Sequence, residues 1–304
     1  MTFYAFYGAI EQGLVYGLMA LGVYITFRVL DFPDLTVDGS LPLGAAVCSV
    51  CITSGWSPYL ALIPAMLAGF LAGMITGLLT TKLRILHLLA SILTMTALYS
   101  INIRVMGGRP NIALINQPTV FAPFEYFNLP PFVSSNLLFC IIVVLVVLLL
   151  FWLLRTEFGQ ALLATGDNPK MITSLGVNTH FTIVVGVGIS NALVALAGAL
   201  VAQNQGAADV SMGVGTIVAG LASIVVGETI FNSRKLHLRI ISVVLGSIIY
   251  RLAIALALGA RIGKFSFTPS DLNLITASLV VLALVLPRLK SARKAKMKIK
   301  HAAH

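Results

Sequence analysis

Long runs of apolar residues, broken by short polar or glycine- and proline-bearing stretches, recur from one end of the chain to the other. An α-helix needs about 20 residues to cross the roughly 30 Å hydrocarbon core of a bilayer. Nine segments approach that measure, at residues 7–29, 41–55, 58–81, 86–103, 135–154, 180–203, 212–230, 237–258 and 270–287. The pattern predicts an all-α polytopic membrane protein of about nine transmembrane helices. Residues 1–290 form one transmembrane domain and residues 291–304 a basic tail. The second and seventh segments are short, with neighbours rich in Gly and Pro. Either is a candidate for a broken or re-entrant helix, tolerated where protein or a watery cavity covers the freed backbone.

Composition sharpens this. Of 304 residues, 58% are hydrophobic and only 10% charged, with a mean hydropathy of +0.98. Soluble domains carry about 25% charged residues. The chain therefore meets hydrocarbon over most of its surface, and the composition speaks for transport before catalysis.

Charge placement suggests an orientation. Arg288, Lys290, Arg293, Lys294, Lys296, Lys298 and Lys300 crowd the last 17 residues. Read by the positive-inside rule, that tail is cytoplasmic and faces anionic lipid rather than nucleic acid. Alternation then places Arg28, Lys82, Arg84, Arg155, Lys170, Arg234, Lys235 and Arg239 inside as well, against Arg104, Arg109, Arg261 and Lys264 outside. Nine crossings put the N-terminus outside. The first apolar stretch lacks the basic region and small-residue cleavage site of a secretory signal, so it is expected to stay in the mature protein.

Several chemistries lack their signatures. No G-x-x-x-x-G-K-[ST] cradle for nucleotide phosphates occurs, nor H-E-x-x-H, nor a G-x-S-x-G elbow. His87, His180 and His237 fall at helix ends, and Cys48, Cys51 and Cys140 read as packing residues. Ionisable residues within the spans are Glu11, Glu228 and Arg251, each either functional or snorkelling, with Glu11 and Arg251 a possible pair. The middles of the spans hold almost no acids, which disfavours a proton-driven carrier. Gly13 with Gly17, and Gly69 with Gly73 and Gly77, set the four-residue spacing that lets helices approach closely in lipid.

Two polar segments stand out. In Asp31 to Ser40 (DFPDLTVDGS), three acids, a proline and a glycine halt one helix and start another, with Asp38 or Ser40 able to cap the new N-terminus. At membrane depth this break would offer Asp34, Thr36 and Asp38 to a cavity; outside it, the acids sit solvated in a turn. Asn191, Gln203 and Asn204 add neutral polarity along and beyond the sixth apolar segment. The second segment, residues 155–179, places Phe158, Ala161, Leu162 and Thr165 at helical spacing, and Gly166 to Pro169 breaks it into two short helices. Such an amphipathic piece wants a partner. Residues 104–134, with Gly107, Gly108, Pro110, Pro118, Pro123, Pro130 and Pro131, form either an external docking surface or a plain linker.

These segments resemble the permeases of bacterial ABC importers for branched-chain amino acids and sugars. The family reads approximately R-x-x-x-G-x-x-x-x-A, then N or D, then L-G-[IV]-N. Here these are Arg155, Gly159, Ala164, Asp167 and Asn168, then Ser174 to Asn178 (SLGVN). Asp34 to Ser40 is similar to the D-L-S-V-G element of the sugar branch, and Gly13 to Gly22 to the opening helix of the amino-acid branch. Leu196 to Leu200 and Gly213 to Ala222 also fit, so the likeness covers most of residues 8–290. The D-F-x-D-L-T-V-D-G-S element, with Pro33 at its variable position, is similar to permeases paired with tryptophan- or tyrosine-type binding lipoproteins.

The resemblance implies a type II importer fold, like the cobalamin permease without its first helix, in the bacterial plasma membrane. Two permease subunits, identical or mixed, would form the pathway. Two cytoplasmic ATPase subunits carrying ATP and Mg would power it, and an extracytoplasmic lipoprotein would deliver an amino acid, aromatic or branched-chain, or a similar small solute. This chain would be no enzyme and hold no cofactor. The resemblance assigns ATPase coupling to Arg155, Glu157, Phe158, Gly159, Leu162, Ala164, Asp167, Asn168, Leu175 and Gly176, with residues 157–166 as the lever and Phe158 and Leu162 as its anchors. The alternative reading is a stand-alone secondary transporter or channel for a small polar solute.

Overall fold

The computed structural model describes residues 3–122, 131–231, 233, 235–259, 261–262, 265–266, 276–278 and 281. In chain order the helices are α1 (Phe3–Tyr24, running on through a wider π turn at Ile25–Val29), α2 (Val37–Thr53), α3 (Leu62–Thr81), α4 (His87–Val105), α5 (Pro131–Arg155), α6 (Glu157–Asp167), α7 (Pro169–Ser174), α8 (Thr179–Gln205), α9 (Thr216–Ile230) and α10 (Leu236–Gly259). Strand β1 (Asn111–Ala113) pairs antiparallel with β2 (Ala207–Asp209), Ile112 opposite Ala208. β3 (Arg261–Ile262) pairs with β4 (Phe265–Ser266). Among the described residues seven helical segments are long and apolar enough to cross a membrane, and α2 is a shorter apolar helix. The ninth expected segment and the basic tail lie almost wholly outside the described residues.

Packing here is sorted by side-chain size rather than polarity. Helix α3 shows why. Leu67, Leu71 and Ile75 recur every four residues on its exposed face, while Gly69, Gly73 and Gly77 line the face that meets α8. Lipid tails are as apolar as leucine, so burying leucine gains little there, and close approach over small residues gains dispersion contacts instead. A methyl group at Gly69 would collide with the backbone of Asn191, and one at Gly77 with that of Val184, so α3 and α8 run antiparallel. Helix α8 is buried along nearly all its length, as befits a helix apolar all round.

The layout occurs twice, the second time inverted. α1, the short α2 and α3 are followed later by α8, the short α9 and α10. α1 packs on α10 as α8 packs on α3, and α2 on α3 as α9 on α10. Either short helix was a candidate break, and both begin where the chain has turned back into the bundle. Within α2, Pro42 has no N–H for the Asp38 carbonyl four residues before it. Gly213, just ahead of α9, approaches that carbonyl so closely that any side chain there would overlap it.

The glycine contacts give a first prediction. Gly44→Val drives an isopropyl group into the Ala195 backbone, which cannot rotate away. The expected cost is about 1–3 kcal/mol of overpacking, read as an earlier thermal transition of the detergent-solubilised protein. Gly8→Val, which meets open space, is the control and is expected to leave that transition in place.

Candidate functional site

The break between α1 and α2 is built around Asp34. Its side chain is fully buried: Oδ1 accepts the Thr36 backbone N–H (2.9 Å) and Oδ2 accepts Nδ2 of Asn191 (2.7 Å). Asn191, halfway along α8, also donates to the Val187 carbonyl (3.0 Å) and accepts the Ser40 hydroxyl (2.7 Å). The Thr36 and Thr76 hydroxyls pair at 2.8 Å. Three helices, α2, α3 and α8, are thus tied by one buried polar knot in which each group of Asp34 and Asn191 has a partner. An unpaired group there would carry its full desolvation cost. Of the two environments open to these acids, Asp34 takes the buried one.

Asp38 faces the other way. Its Oδ1 accepts the Ile217 N–H (2.9 Å) and the Thr216 hydroxyl (3.0 Å), and its Oδ2 accepts the Gly215 N–H (3.1 Å). The expected capping of α2 by Asp38 or Ser40 is therefore corrected. Asp38 caps α9, a helix that begins almost 180 residues later, and Ser40 is spent on Asn191. The reason lies at Gly215, the residue heading α9. It has φ +77° and no side chain with which to cap its own helix. A carboxylate at a helix N-terminus also meets the positive end of the helix dipole. The two short helices consequently start face to face, joined by one carboxylate, which takes up the Gly215 and Ile217 N–H groups heading α9.

The remaining expected pathway residues lie elsewhere. Gln203 is buried at the β1–β2 end, where Oε1 accepts the Val120 N–H (2.9 Å) and Nε2 donates to Cys48 Sγ (3.3 Å) and the Pro58 carbonyl (3.5 Å). It fastens the loops of that end to α8. Asn204 hydrogen-bonds Glu11. Arg251 lies over the Tyr16 ring, 3.7 Å from its centroid, so Glu11 and Arg251 have separate partners. Glu228 forms an ion pair with Arg28. Sequence reasoning missed Thr76 and Ser190, whose hydroxyl donates to the Gly22 carbonyl at 2.7 Å. It also missed the role of Gly215 and Thr216, although the G-V-G-T run at 213–216 was a usable sign of a helix start without its own acid. Among the described residues no three His, Cys, Asp or Glu side chains gather as a metal site requires.

At the opposite end from β1–β2, residues 155–178 fold as the two expected short helices, each start fixed by a side chain. Thr156 Oγ1 accepts the Gly159 N–H (3.2 Å), Asn168 Oδ1 the Met171 N–H (3.1 Å) with Pro169 opening α7, and Asn178 Oδ1 the Phe181 N–H (3.1 Å). The Asn168 N–H donates to the Ala164 carbonyl (3.0 Å), and Gly176, with φ +87°, turns the chain into α8. Arg155 lies over the Phe151 ring at 4.4 Å.

This segment has two faces. Gly159 sits on the backbone of Leu153 and Leu154, and Gly166 on that of Val29. Leu162, 1% exposed, lies against Leu30 and the site where Gly186 lacks a side chain. Phe158 is half-buried against the core, its ring edge-on to Phe181 at 6.4 Å. Of the two side chains expected to anchor an outside partner, Leu162 is turned into the bundle, because Gly166 and Gly186 leave room for α6 to settle there, while Phe158 stays only half-buried. The outward face belongs to the next turn of chain: Asp167, Asn168, Met171 (53% exposed) and Leu175 (69% exposed), beside an open recess lined by Pro169, Lys170, Thr173 and Ser174. Glu157 is also exposed.

Comparison with known proteins agrees with this layout. Residues 6–286 match the family described as branched-chain amino acid transport system, permease component. The tyrosine transport system permease protein of Clostridioides difficile (strain R20291) is 40% identical over 270 residues, covering 89% of this chain and 87% of that one. The ribose import permease protein RbsC of Bacillus subtilis (strain 168) is 30% identical over 224 residues, covering 72% and 67%. A solved chain of PsaBC from Streptococcus pneumoniae, in complex with Fab, superposes with a TM-score of 0.51 at 16% identity, over 93% of this chain and 91% of that one. The last likeness concerns the fold alone.

Proposed function

The chain belongs to the permease component family of branched-chain amino acid transport systems, a membrane permease of an ABC-type system, and on that premise we propose that it carries an amino acid inward at the expense of ATP hydrolysed elsewhere. The substrate class is aromatic or branched-chain amino acids, by analogy with a tyrosine permease relative. In this reading it has nine crossings and the type II importer architecture, and it resides in the bacterial cytoplasmic membrane. Its C-terminus and the α6–α7 segment are cytoplasmic, and the β1–β2 end is outside. It pairs with a second permease subunit, two ATPase subunits and a binding lipoprotein.

One observation carries the reading: α6 and α7 have a buried inner face and an exposed outer face. Leu162 is wedged between the end of α1 and the start of α8, while Met171 and Leu175 point away from the bundle. A push on the outer face is passed through a close-packed contact to two helices at once, and packed contacts switch between discrete arrangements rather than deform smoothly. Arg155, Glu157, Gly159, Ala164, Asp167, Asn168 and Gly176 shape and cap this lever. Asp38 supports a permissive pathway, because the α9 N-terminus that would attract a substrate carboxylate is already bonded. Selection then rests with the binding protein.

The test is affinity purification from membranes of the native host. An ATPase subunit is expected to come down with the chain in stoichiometric amount. A chain that purifies alone and moves amino acids on an ion gradient would replace this reading with a secondary transporter.

A further inference from the structure

Helices α4 and α5 are both mostly exposed, yet they are built differently. The outer face of α5 carries Ile141, Val144, Leu145, Leu148 and Leu149, and its mean hydropathy is 3.5. That of α4 is only 1.4. A helix that shows most of its surface to hydrocarbon needs the composition of α5, because a polar group facing lipid without a partner is costly.

The departure is confined to one half of α4. Toward the α6–α7 end its exposed side chains are Leu88, Leu89 and Leu93. From the middle onward the same face carries Thr96, Tyr99, Ser100 and Arg104. Thr96 shares its hydroxyl between the Ile92 (3.1 Å) and Leu93 (2.9 Å) carbonyls of its own helix. The hydroxyls of Tyr99 and Ser100 have no protein partner among the described residues. Tyrosines of membrane proteins commonly sit at the water interface, but Tyr99 leans the other way. α4 starts at the α6–α7 end, where His87 lies against Phe32 with ring centroids 4.5 Å apart, and it ends where Met106 packs with Ala208 of β2. Side chains tilt toward the start of their helix. From a position about 9 Å short of the helix end, Tyr99 is therefore directed toward the middle of the bilayer.

A second observation lies beside this face. Gly39 of α2 packs on Met95 and Leu98 of α4, and Asn102 Nδ2 donates to the Gly39 carbonyl (3.2 Å), so α4 flanks the junction of the two short helices. There Val214 (80% exposed) and Gly215 are open, one turn before Gly220 meets Met19 and Val23 midway down the bundle. Irregular backbone at membrane depth is tolerated only where protein or a watery cavity covers it.

We propose that Thr96, Tyr99 and Ser100, with the open head of α9 at Val214 and Gly215, line a water-filled mouth of the solute pathway that Leu89 and Leu93 close toward the α6–α7 end. Tyr99 is the residue of this wall that touches cargo: its ring receives an apolar or aromatic side chain, and its hydroxyl, with that of Ser100, receives the charged groups of an amino acid. The cargo is that of the import reading above, whereas the water is a property of the permease alone.

The experiment is the rate of reaction with a membrane-impermeant cationic methanethiosulfonate. It is measured on the permease with its copurified partners in lipid nanodiscs, with Cys51 and Cys140 replaced by alanine and the buried Cys48 retained. Thr96→Cys, Tyr99→Cys and Ser100→Cys are expected to react about 100-fold faster than Val144→Cys and Leu148→Cys on α5, the factor by which a charge prefers water to the bilayer centre. Leu89→Cys is expected to react as slowly as the α5 pair. All these positions are exposed, so none of the changes opens the core. In proteoliposomes with ATP, reaction of Ser100→Cys is expected to remove most of the radiolabelled L-tyrosine uptake that the same variant shows before reaction. Should the import reading fail, no variant takes up tyrosine, and the order of labelling rates still decides whether the face is wet. Rates on α4 as slow as on α5 would leave lipid over the face, and slow rates with Thr96→Cys cross-linking between copies would put a second copy directly on it. Fast reaction at Leu89→Cys would remove the apolar seal, and fast labelling of Ser100→Cys that spares its tyrosine uptake would place the wet face off the pathway. Each of these four results would overturn the proposal.

Discussion

Asn191→Leu is expected to remove most of the folded permease from the membrane. Asn191 supplies a side-chain donor to a carboxyl group with no exposure to solvent, and leucine of similar size leaves Asp34 with Thr36 alone as its partner. It also orphans the Ser40 hydroxyl. Leaving a fully buried polar group short of a partner costs about 1–3 kcal/mol, a large part of the roughly 5–15 kcal/mol that holds a domain folded. The check is membrane abundance with the thermal transition in detergent. Replacing both partners, Asp34→Leu with Asn191→Leu, removes the buried carboxyl group as well and is expected to recover part of the loss, because apolar replacement of a whole pair is far milder than breaking it. Had Asp34 been a solvated turn residue, the single substitution would be nearly silent.

The second large effect is functional rather than structural. Met171→Asp with Leu175→Asp is expected to leave abundance and thermal transition unchanged while uptake falls by about 30-fold or more. That factor corresponds to the roughly 2 kcal/mol that central apolar anchors contribute to an interface. Both side chains are exposed, so folding does not depend on them. Leu162→Asp makes the opposite control: it buries a charge between Leu30 and Gly186 and is expected to abolish accumulation. Phe158→Asp falls between, because its ring already packs on the core and on Phe181. Uptake assays on expressed variants, normalised to membrane abundance, separate the three. Normal uptake by the double variant would remove Met171 and Leu175 from the coupling surface.

How much of this was legible beforehand follows from the range over which each signal acts. The two short helices were visible as Gly- and Pro-flanked apolar runs, because helix breaks are local chemistry. The α6–α7 break was visible for the same reason, and Asn168 and Pro169 open α7 as helix-start residues should. The direction of each face was not. Leu162 read as an outward anchor because an isolated amphipathic helix shows its stripe but not its partner; Gly186, 24 residues beyond Leu162, decides that its partner is the bundle itself. Asp38 failed for the same cause. Its spacing suits a cap for α2, and only the missing side chain at Gly215, far along the chain, turns it to α9. Gln203 and Asn204 shared polarity with Asn191 but lie at the far end of α8, a difference of helix height that composition does not record.

The central claim is that work from a separate ATPase enters this bundle through α6 and α7. Its most direct measurement is uptake of radiolabelled aromatic and branched-chain amino acids into proteoliposomes. These hold the permease with its copurified ATPase and binding protein, without any ion gradient. Accumulation that requires ATP on the α6–α7 side, and that vanishes with Met171→Asp and Leu175→Asp, is the expected result. Accumulation by the permease alone, or equal accumulation with and without ATP, would contradict the account.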